Sequence, residues 1–326
     1  MSEATAPMHA IAMVDEGVGH GWRVVARKEF ADHLRSIRFL VLAAILAIVT
    51  AATVVAAAGG IRSVASEAMG VPGIFLRLLT IESPPVPFAF IFVLMNFLGP
   101  FLGIAFGFDA ISSEKSAGTL PRLLAQPIHR DEVIIGKFVA GLSIIGMMLI
   151  ATTIFITGLG MFRLGLSPTP GEIGRLFVWV IVAIIYVGFW LALSILLSTR
   201  AGVATSILAS LGLWLVLIFF GSFIFSAAAN LVAPAEDAVA VAKAEILLSR
   251  ISPAVLFSEA STVLLDPTQR TVDLVTVEQA DRAILSNLTL TQSLSVVWPQ
   301  VVGLVAITTV LFGFAFVAFM RQEVRA

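Results

Sequence analysis

The sequence contains no cysteine and only four histidines among its 326 residues. The absence of cysteine excludes disulfide bonds and thiolate metal sites. The histidines, His9, His20, His33 and His129, form neither a His-Glu-x-x-His motif nor a paired spacing, so a zinc enzyme is not expected. Charged residues make up only 13% of the chain, and its net charge of -1 is not that of a basic, nucleic-acid-binding protein. Nucleic acid is therefore not an expected partner.

Hydrophobic residues, in contrast, make up 59% of the chain, and only a lipid environment tolerates such a surface. A helix that crosses a hydrocarbon layer of about 30 Å needs roughly 20 apolar residues, because each residue adds about 1.5 Å. Six segments meet this requirement without Lys, Arg, Asp or Glu: 39–58, 88–108, 138–162, 176–198, 201–229 and 298–320. The sequence therefore predicts an all-α membrane protein with six transmembrane helices.

The distribution of basic residues predicts the orientation, because Lys and Arg near the ends of spans resist translocation. Residues 1–20 lack the basic stretch and apolar stretch of a cleaved signal peptide, so the N-terminus is expected to stay in the cytoplasm. Twelve of the twenty basic residues then fall on the cytoplasmic side. We therefore predict a multi-pass protein of the inner (plasma) membrane with both termini in the cytoplasm.

The predicted spans and their orientation divide the chain into four segments. Apolar residues between Trp22 and Ile37 recur at helical spacing beside basic residues, which predicts an amphipathic helix in the membrane interface. A cytoplasmic helix packed on another protein is the alternative. The long segment before the last span mixes prolines with short apolar runs, which predicts small helices at 244–248 and 254–265. The parts are 1–38, a cytoplasmic tail and the amphipathic helix; 39–229, spans one to five with a cytoplasmic loop at 109–137; 230–297, a helical external loop; and 298–326, the sixth span and a cytoplasmic tail.

The second span contains an irregularity at Asn96, Gly99 and Pro100. Proline lacks the backbone N–H that a helix uses, and it kinks the helix. These three residues are a candidate hinge that flexes when the loop after the span is displaced. A static kink that a neighbouring helix supports is the alternative, and the residues alone leave both open.

The cytoplasmic loop 109–137 is more structured in composition than a linker. We predict a short helix over 118–127, with Thr119 as its cap and Pro121 in its first turn. The apolar face of this helix is Leu120, Leu123 and Leu124, and its charged rim is Glu114, Lys115, Arg122 and Arg130. A face that docks on a soluble partner and a loop folded against its own cytoplasmic ends are equally compatible with these residues.

The residues of this loop, with their spacing, resemble a signature of ATP-binding-cassette (ABC) transporter permeases of the type-2 exporter family. The resemblance is carried by Asp109, Ile111, Ser112, Glu114, Lys115, Gly118, Thr119, Leu120, Leu123, Leu124, Pro127, Arg130, Gly136 and Lys137. The six spans, the amphipathic helix before them and the long segment before the last span are also similar to this family. The resemblance implies that helix 118–127 is a coupling helix for a separate ATPase. It implies ATPase-coupling roles for Asp109, Glu114, Lys115, Gly118, Thr119, Leu120, Arg122, Leu123, Leu124, Pro127 and Arg130.

A phosphate-binding loop of the form Gly-x-x-x-x-Gly-Lys-Ser/Thr is absent, since Gly136 and Lys137 are followed by Phe138. We therefore expect a chain that is not an enzyme by itself and binds no cofactor directly, with ATP and Mg²⁺ bound by the partner ATPase. The resemblance further implies transport, with export as the usual direction, and a second permease subunit that is identical or related. A periplasmic protein is a further candidate partner.

Two other classes of function remain compatible with the sequence. The first is an ion-independent or secondary carrier that acts alone. Ion coupling usually requires ionisable residues inside the spans, and the six predicted spans contain none. The second is a membrane scaffold whose external loop recruits periplasmic proteins. Purification of the chain with or without a stoichiometric ATPase distinguishes these alternatives from a permease.

Overall fold

The computed structural model describes residues 21–63, 73–119, 128–234, 237–273 and 287–322. Within these residues the chain is helical and forms no β-strand. Six helices are long and apolar enough to cross a membrane, and we number them as the first to the sixth span: Ile37–Ser63, Phe90–Ser116, Arg130–Leu164, Pro170–Arg200, Val203–Val232 and Leu290–Met320. The predicted all-α membrane fold is therefore confirmed.

The spans extend beyond the apolar runs that predict them. The fourth span, for example, begins at Pro170 instead of residue 176. Thr169 caps it: the threonine hydroxyl accepts a hydrogen bond from the Glu172 N–H, and the Glu172 carboxylate accepts one from the Thr169 N–H at 2.8 Å. Polar residues thus start the helix outside the apolar run, and a hydropathy criterion leaves them out.

Three shorter helices flank the spans. The N-terminal helix, Gly21–Arg35, precedes the first span. The first loop helix, Ala238–Ser249, and the second loop helix, Pro253–Leu265, lie between the fifth and sixth spans. These two helices contain the small helices predicted in this segment.

The bundle has two ends with different content. The basal end carries the N-terminal helix, the last turns of the second span and residue Gln322 after the sixth span. The loop end carries a single helical turn, Arg77–Thr80, together with the two loop helices. The segments predicted to be cytoplasmic and those predicted to be external therefore lie at opposite ends of the bundle.

The fourth span lies at the centre of the bundle. It packs against the second, third, fifth and sixth spans and against the second loop helix. The largest buried side chains of the protein include its Trp179, Tyr186 and Trp190. This span therefore connects the basal end with the loop end through the core.

Three glycines bring the second span close to the fourth. Gly99, Gly103 and Gly107 recur at every fourth position, which places them on one face of the helix. A Cβ atom on Gly103 would lie 2.5 Å from the Trp190 Cβ, and one on Gly107 would lie 2.9 Å from the Leu191 carbonyl oxygen. Only glycine allows this approach, as at other small-residue interfaces between membrane helices.

Candidate coupling site at the basal end

The second span ends in a short helix, Ser112–Ser116, that is fixed to the fourth span. The Ser198 hydroxyl accepts hydrogen bonds from the backbone N–H groups of Ile111 and Ser112, each at 3.0 Å. It also donates a hydrogen bond to the Ser112 hydroxyl at 3.1 Å. Ile111, Ser112 and Ser198 are all buried. The beginning of loop 109–137 is thus part of the packed bundle.

Lys137, in the first turns of the third span, is the centre of a charged cluster. Its ammonium group lies 2.8 Å from the Glu114 carboxylate and 3.0 Å from the Glu29 carboxylate, and its side chain is 5% exposed. Burial of an unpaired ammonium group costs on the order of several kcal/mol, and the two carboxylates offset this cost. Glu114 belongs to the loop and Glu29 to the N-terminal helix. A single side chain therefore joins three elements.

Gly136 allows the N-terminal helix to lie against the third span. A Cβ atom at this position would be 2.7 Å from the Val25 Cβ and 2.8 Å from the Trp22 carbonyl oxygen. At the start of the N-terminal helix, the Gly21 N–H donates a hydrogen bond to Glu132 at 3.0 Å. The two helices are therefore held together by close packing as well as by the Lys137 ion pair.

A second ion pair links the first span to the second. The Arg38 guanidinium lies 2.6 Å from the Asp109 carboxylate. His33 lies near both ion pairs, with its ring edge against the Phe106 ring at a centroid distance of 5.2 Å. Burial lowers the pKa of His33, and the nearby carboxylates of Glu29 and Asp109 oppose this effect only in part.

These side chains line a cavity of about 260 Å³ at the basal end. Burial alone would raise the pKa of Glu29, but the ammonium groups of Lys137 and Lys28 outweigh it and lower that pKa. Glu29 is therefore ionised at neutral pH. One oxygen of Glu114 is buried without a hydrogen-bond partner. In the described part of the chain, no group of three His, Asp or Glu side chains is placed to hold a metal ion.

The candidate coupling residues that the structure describes fall into two sets. Asp109 and Glu114 are turned inward, where they form the ion pairs with Arg38 and Lys137. Four others are exposed at the basal end: Lys115, Gly118, Thr119 and Arg130. The remaining ones lie outside the described residues: Leu120, Arg122, Leu123, Leu124 and Pro127. The described part of the loop is thus folded against its own chain, and the predicted leucine face lies beyond it.

The exposed residues have defined backbone positions. Gly118 has a φ of +67°, a left-handed conformation that favours glycine after a helix end. The Thr119 N–H donates a hydrogen bond to the Glu114 carbonyl at 3.0 Å. The Arg130 guanidinium donates one to the Gln322 carbonyl at 3.3 Å. These contacts fix the backbone on both sides of the predicted coupling helix.

The irregularity in the second span is a π-helical turn, Leu94–Leu98, followed by Pro100. The Gly99 N–H bonds to the first carbonyl of this turn, so the Met95 carbonyl has no α-helical donor. Pro100 has no N–H, so the Asn96 carbonyl has no α-helical donor either. The kink therefore leaves two adjacent carbonyl groups that need other partners.

Neighbouring spans supply both partners. The Tyr186 hydroxyl of the fourth span donates a hydrogen bond to the Met95 carbonyl, and the Trp214 indole N–H of the fifth span donates one to the Asn96 carbonyl at 2.7 Å. The candidate hinge residues thus lie beside two aromatic side chains from other spans. Of the two alternatives for this irregularity, a flexing hinge and a static kink, these contacts are those of a kink supported by neighbouring helices.

Two residues of the cluster had no assigned role in the sequence interpretation. Lys137 is part of the family signature and precedes an apolar run, but the sequence analysis gave it no role beyond the resemblance. Ser198 is a serine at the end of a span, and nothing near it in the sequence indicates its bonds to Ile111 and Ser112. The signal that could have identified Lys137 is its place as a lone lysine at the start of an apolar helix.

Comparisons with known proteins agree with the architecture. The family model described as "ABC-2 family transporter protein" matches residues 23–324. The chain is 29% identical over 153 residues to the probable ABC transporter permease protein NosY of Stutzerimonas stutzeri, which is 47% of this chain and 49% of that protein. It is 30% identical over 205 residues to the protein of the same name from Pseudomonas aeruginosa, 60% of this chain and 66% of that protein. The chain thus covers less than two thirds of either relative. It belongs to the ABC-2 family of transporter proteins, as a multi-pass membrane permease of the ABC class.

Proposed function

We propose that the chain is the membrane-spanning subunit of an ABC exporter that is driven by a separate ATPase subunit. In this proposal the ATPase binds at the basal end, which faces the cytoplasm with both termini, and the protein lies in the inner (plasma) membrane. Two copies of the chain, or one copy and a related permease, enclose the pathway. ATP and Mg²⁺ are bound by the ATPase subunit. The family and the permease names of the relatives support this assignment.

The observation that carries the proposal is the set of contacts made by Lys137. A displacement of helix Ser112–Ser116 moves Glu114, which Lys137 ties to the third span and to Glu29 of the N-terminal helix. The same short helix is bonded to the fourth span through Ser198. Force applied to the loop is therefore passed to three other elements through direct polar contacts.

The exposed residues beside this cluster are the docking points in the proposal. Lys115 and Arg130 present positive charge at the basal end, and Gly118 and Thr119 lead into the predicted leucine face. A charged rim around an apolar face is typical of protein interfaces, where the charges fix the register of the partners. Asp109 and Glu114 contribute by holding the loop in place, because their carboxylates are already paired.

Co-purification of the ATPase tests the proposal. We expect the tagged chain, extracted from membranes in mild detergent, to carry a stoichiometric ATPase subunit that hydrolyses ATP. The double substitution Leu123→Asp and Leu124→Asp places two carboxylates on the predicted docking face, and we expect it to abolish co-purification. The amount of variant chain inserted in the membrane should be unchanged.

Leu247→Asp is the matched control. Leu247 is 64% exposed on the first loop helix, so the same change of chemistry occurs at the opposite end of the bundle. This variant should retain the ATPase. Retention by the double variant would contradict the docking role of the two leucines. A wild-type chain that transports without any ATPase would instead favour a carrier that acts alone and would overturn the proposal.

A further inference from the structure

A larger cavity, of about 600 Å³, lies at the loop end of the bundle. Its walls come from the second, fourth and fifth spans and from the two loop helices. Small-molecule sites in proteins have volumes of about 300 to 1,000 Å³, so one drug-sized molecule fits this space. The cavity lies within a single copy of the chain and is separate from the basal charged cluster.

The part of the cavity between the spans is aromatic. Tyr186, Trp190 and Trp214 line it together with Phe225. The Tyr186 hydroxyl and the Trp214 indole N–H are already bonded to carbonyl groups of the second span. Tyr186 and Trp190 are almost fully buried, so Trp214 and Phe225, which are half-buried, offer most of the ring surface to a ligand. Such surfaces bind apolar groups and cations.

The part of the cavity beside the loop helices is acidic. Glu245 and Glu259 line it, and no lysine or arginine is among its lining residues. The first loop helix turns Glu245 toward the cavity, whereas Lys243 is exposed two residues earlier, on the other side of the helix. The helix therefore presents its acid to the cavity and its base to the surroundings.

The two carboxylates differ in their partners. Glu259 forms an ion pair with Arg250 at 3.0 Å and accepts a hydrogen bond from the Gln300 amide at 2.9 Å. Among the ion pairs of the described residues, none includes Glu245, which is half-buried. A carboxylate at the wall of a largely apolar cavity is stabilised by a cation that enters with its own apolar body.

We propose that this cavity binds a lipophilic cation, that is, a molecule with an aromatic or alkyl body and one positive charge. The body packs against the rings of Trp214 and Phe225, and the charge lies next to Glu245. The aromatic rings add cation–π attraction to the ion pair. The proposal concerns binding to this chain alone, and it depends neither on an ATPase nor on transport.

Equilibrium binding of rhodamine 6G, a fluorescent lipophilic cation, tests the site. The probe is titrated with the full chain in phosphatidylcholine nanodiscs, its fluorescence anisotropy is followed, and empty nanodiscs provide the lipid background. We expect saturable binding at one site per chain. Glu245→Gln should weaken it about tenfold, equivalent to about 1.4 kcal/mol. Ala242→Trp, which fills the cavity without a change of charge, should abolish it.

The controls separate charge from shape. Glu82→Gln removes an exposed carboxylate at the same end of the bundle and should leave the affinity unchanged. Tetraphenylphosphonium should compete with the probe, whereas the neutral triphenylphosphine oxide should not. Thermal unfolding, followed by tryptophan emission, verifies that each variant is folded.

Two results would overturn the proposal. Binding that persists in Ala242→Trp would show that the probe lies elsewhere or in the lipid. Full affinity in Glu245→Gln, with binding lost in Ala242→Trp, would show that the cavity accepts apolar molecules without regard to charge. Because the measurement uses no ATPase, either failure leaves the proposed function of the chain unaffected.

Discussion

Two buried cations, one at each end of the bundle, are held in different ways. At the basal end, the Lys137 ammonium is paired with the carboxylates of Glu29 and Glu114 from two other elements. At the loop end, the buried Arg175 guanidinium donates to backbone carbonyls at the end of the second loop helix and to the Leu288 carbonyl. The Lys137 ammonium thus relies on carboxylate side chains and the Arg175 guanidinium mainly on backbone carbonyls, while Arg250 and Glu259 add an ion pair at the loop end.

The buried carboxylate of Glu172, also at the loop end, is likewise bonded to a backbone group. It accepts a hydrogen bond from the Phe75 backbone N–H at 2.9 Å and so ties the segment before the second span to the fourth span. Side chains that pair with each other can exchange partners when an element moves. Backbone groups at a helix end have few other partners, because the helix itself cannot supply them. The difference suits the Lys137 ion pairs to rearrangement and the Arg175 contacts to a fixed geometry.

Chemical labelling gives the largest expected effect, because a bundle that spans the membrane has its two ends on opposite sides. The chain has no cysteine, so a single introduced cysteine is a unique label site. Lys115→Cys at the basal end and Lys243→Cys on the first loop helix both replace exposed lysines. In right-side-out membrane vesicles, an impermeant maleimide should label only Lys243→Cys.

Permeabilisation provides the control for this experiment. After the vesicles are opened, both cysteines should react to the same extent, which shows that Lys115→Cys is accessible. Labelling of Lys115→Cys in sealed vesicles would place the basal end outside the cell. That result would contradict ATPase docking at this end.

Removal of the Arg175 guanidinium is expected to have the next largest effect. Arg175→Met keeps an apolar side chain of similar length but leaves carbonyl groups of the second loop helix without their donor. A buried polar group without a partner costs about 1 to 3 kcal/mol, so we expect a clear decrease in the thermal unfolding midpoint of the purified protein. Arg62→Met, at an exposed arginine of the same end, should have little effect. Equal midpoints for the two variants would show that the hydrogen bonds from Arg175 do not stabilise the loop end.

The smallest effect is a pH dependence at the basal end. Burial lowers the pKa of His33, and the ammonium groups of Lys137 and Lys28 lower that of Glu29 against the opposing effect of burial. Both groups hold protons less tightly in the folded chain than in the unfolded chain. The stability they contribute is therefore complete above their ordinary pKa values, 6.5 for His33 and 4.5 for Glu29, and it decreases as the pH falls below them.

The unfolding midpoint measures this dependence. We expect it to fall between about pH 7.5 and about pH 5.5, a window that brackets the ordinary histidine pKa. His33→Gln removes the titrating imidazole, so the decrease over this window should be smaller in that variant. The charged groups around His33, which are Glu29, Arg38, Asp109 and Lys137, remain in place. An unchanged decrease would show that another group titrates.

The spans and the order of the helices could be predicted from the sequence, because length and apolarity decide whether a helix crosses lipid. The second loop helix was also close, predicted at 254–265 and found at Pro253–Leu265. The ends of the spans could not be placed as well, since caps such as Thr169 are polar and fall outside the apolar runs. The sequence analysis took Gly99 only as part of a candidate hinge, and the packing of Gly99, Gly103 and Gly107 on the fourth span became apparent from the structure.

The sequence indicated a candidate site but not its contacts, and its coupling role stays a prediction. The signature identified loop 109–137, and the structure brings Glu114 and Lys137 of that signature into one ion pair. The third member, Glu29, is 108 residues away from Lys137 in the chain. Such a contact depends on how the N-terminal helix packs on the third span, which no local pattern contains. The acidic cavity at the loop end likewise exists only once five elements are assembled.

The proline in the second span has a consequence for how motion travels through the protein. A bend at Pro100 would have to break the hydrogen bonds that Tyr186 and Trp214 donate to the Met95 and Asn96 carbonyls. The upper and lower halves of the second span should therefore tilt as one lever together with the fourth and fifth spans. If an ATPase displaces the basal end, as we propose, the displacement would reach the opposite side of the membrane without a hinge movement at Pro100.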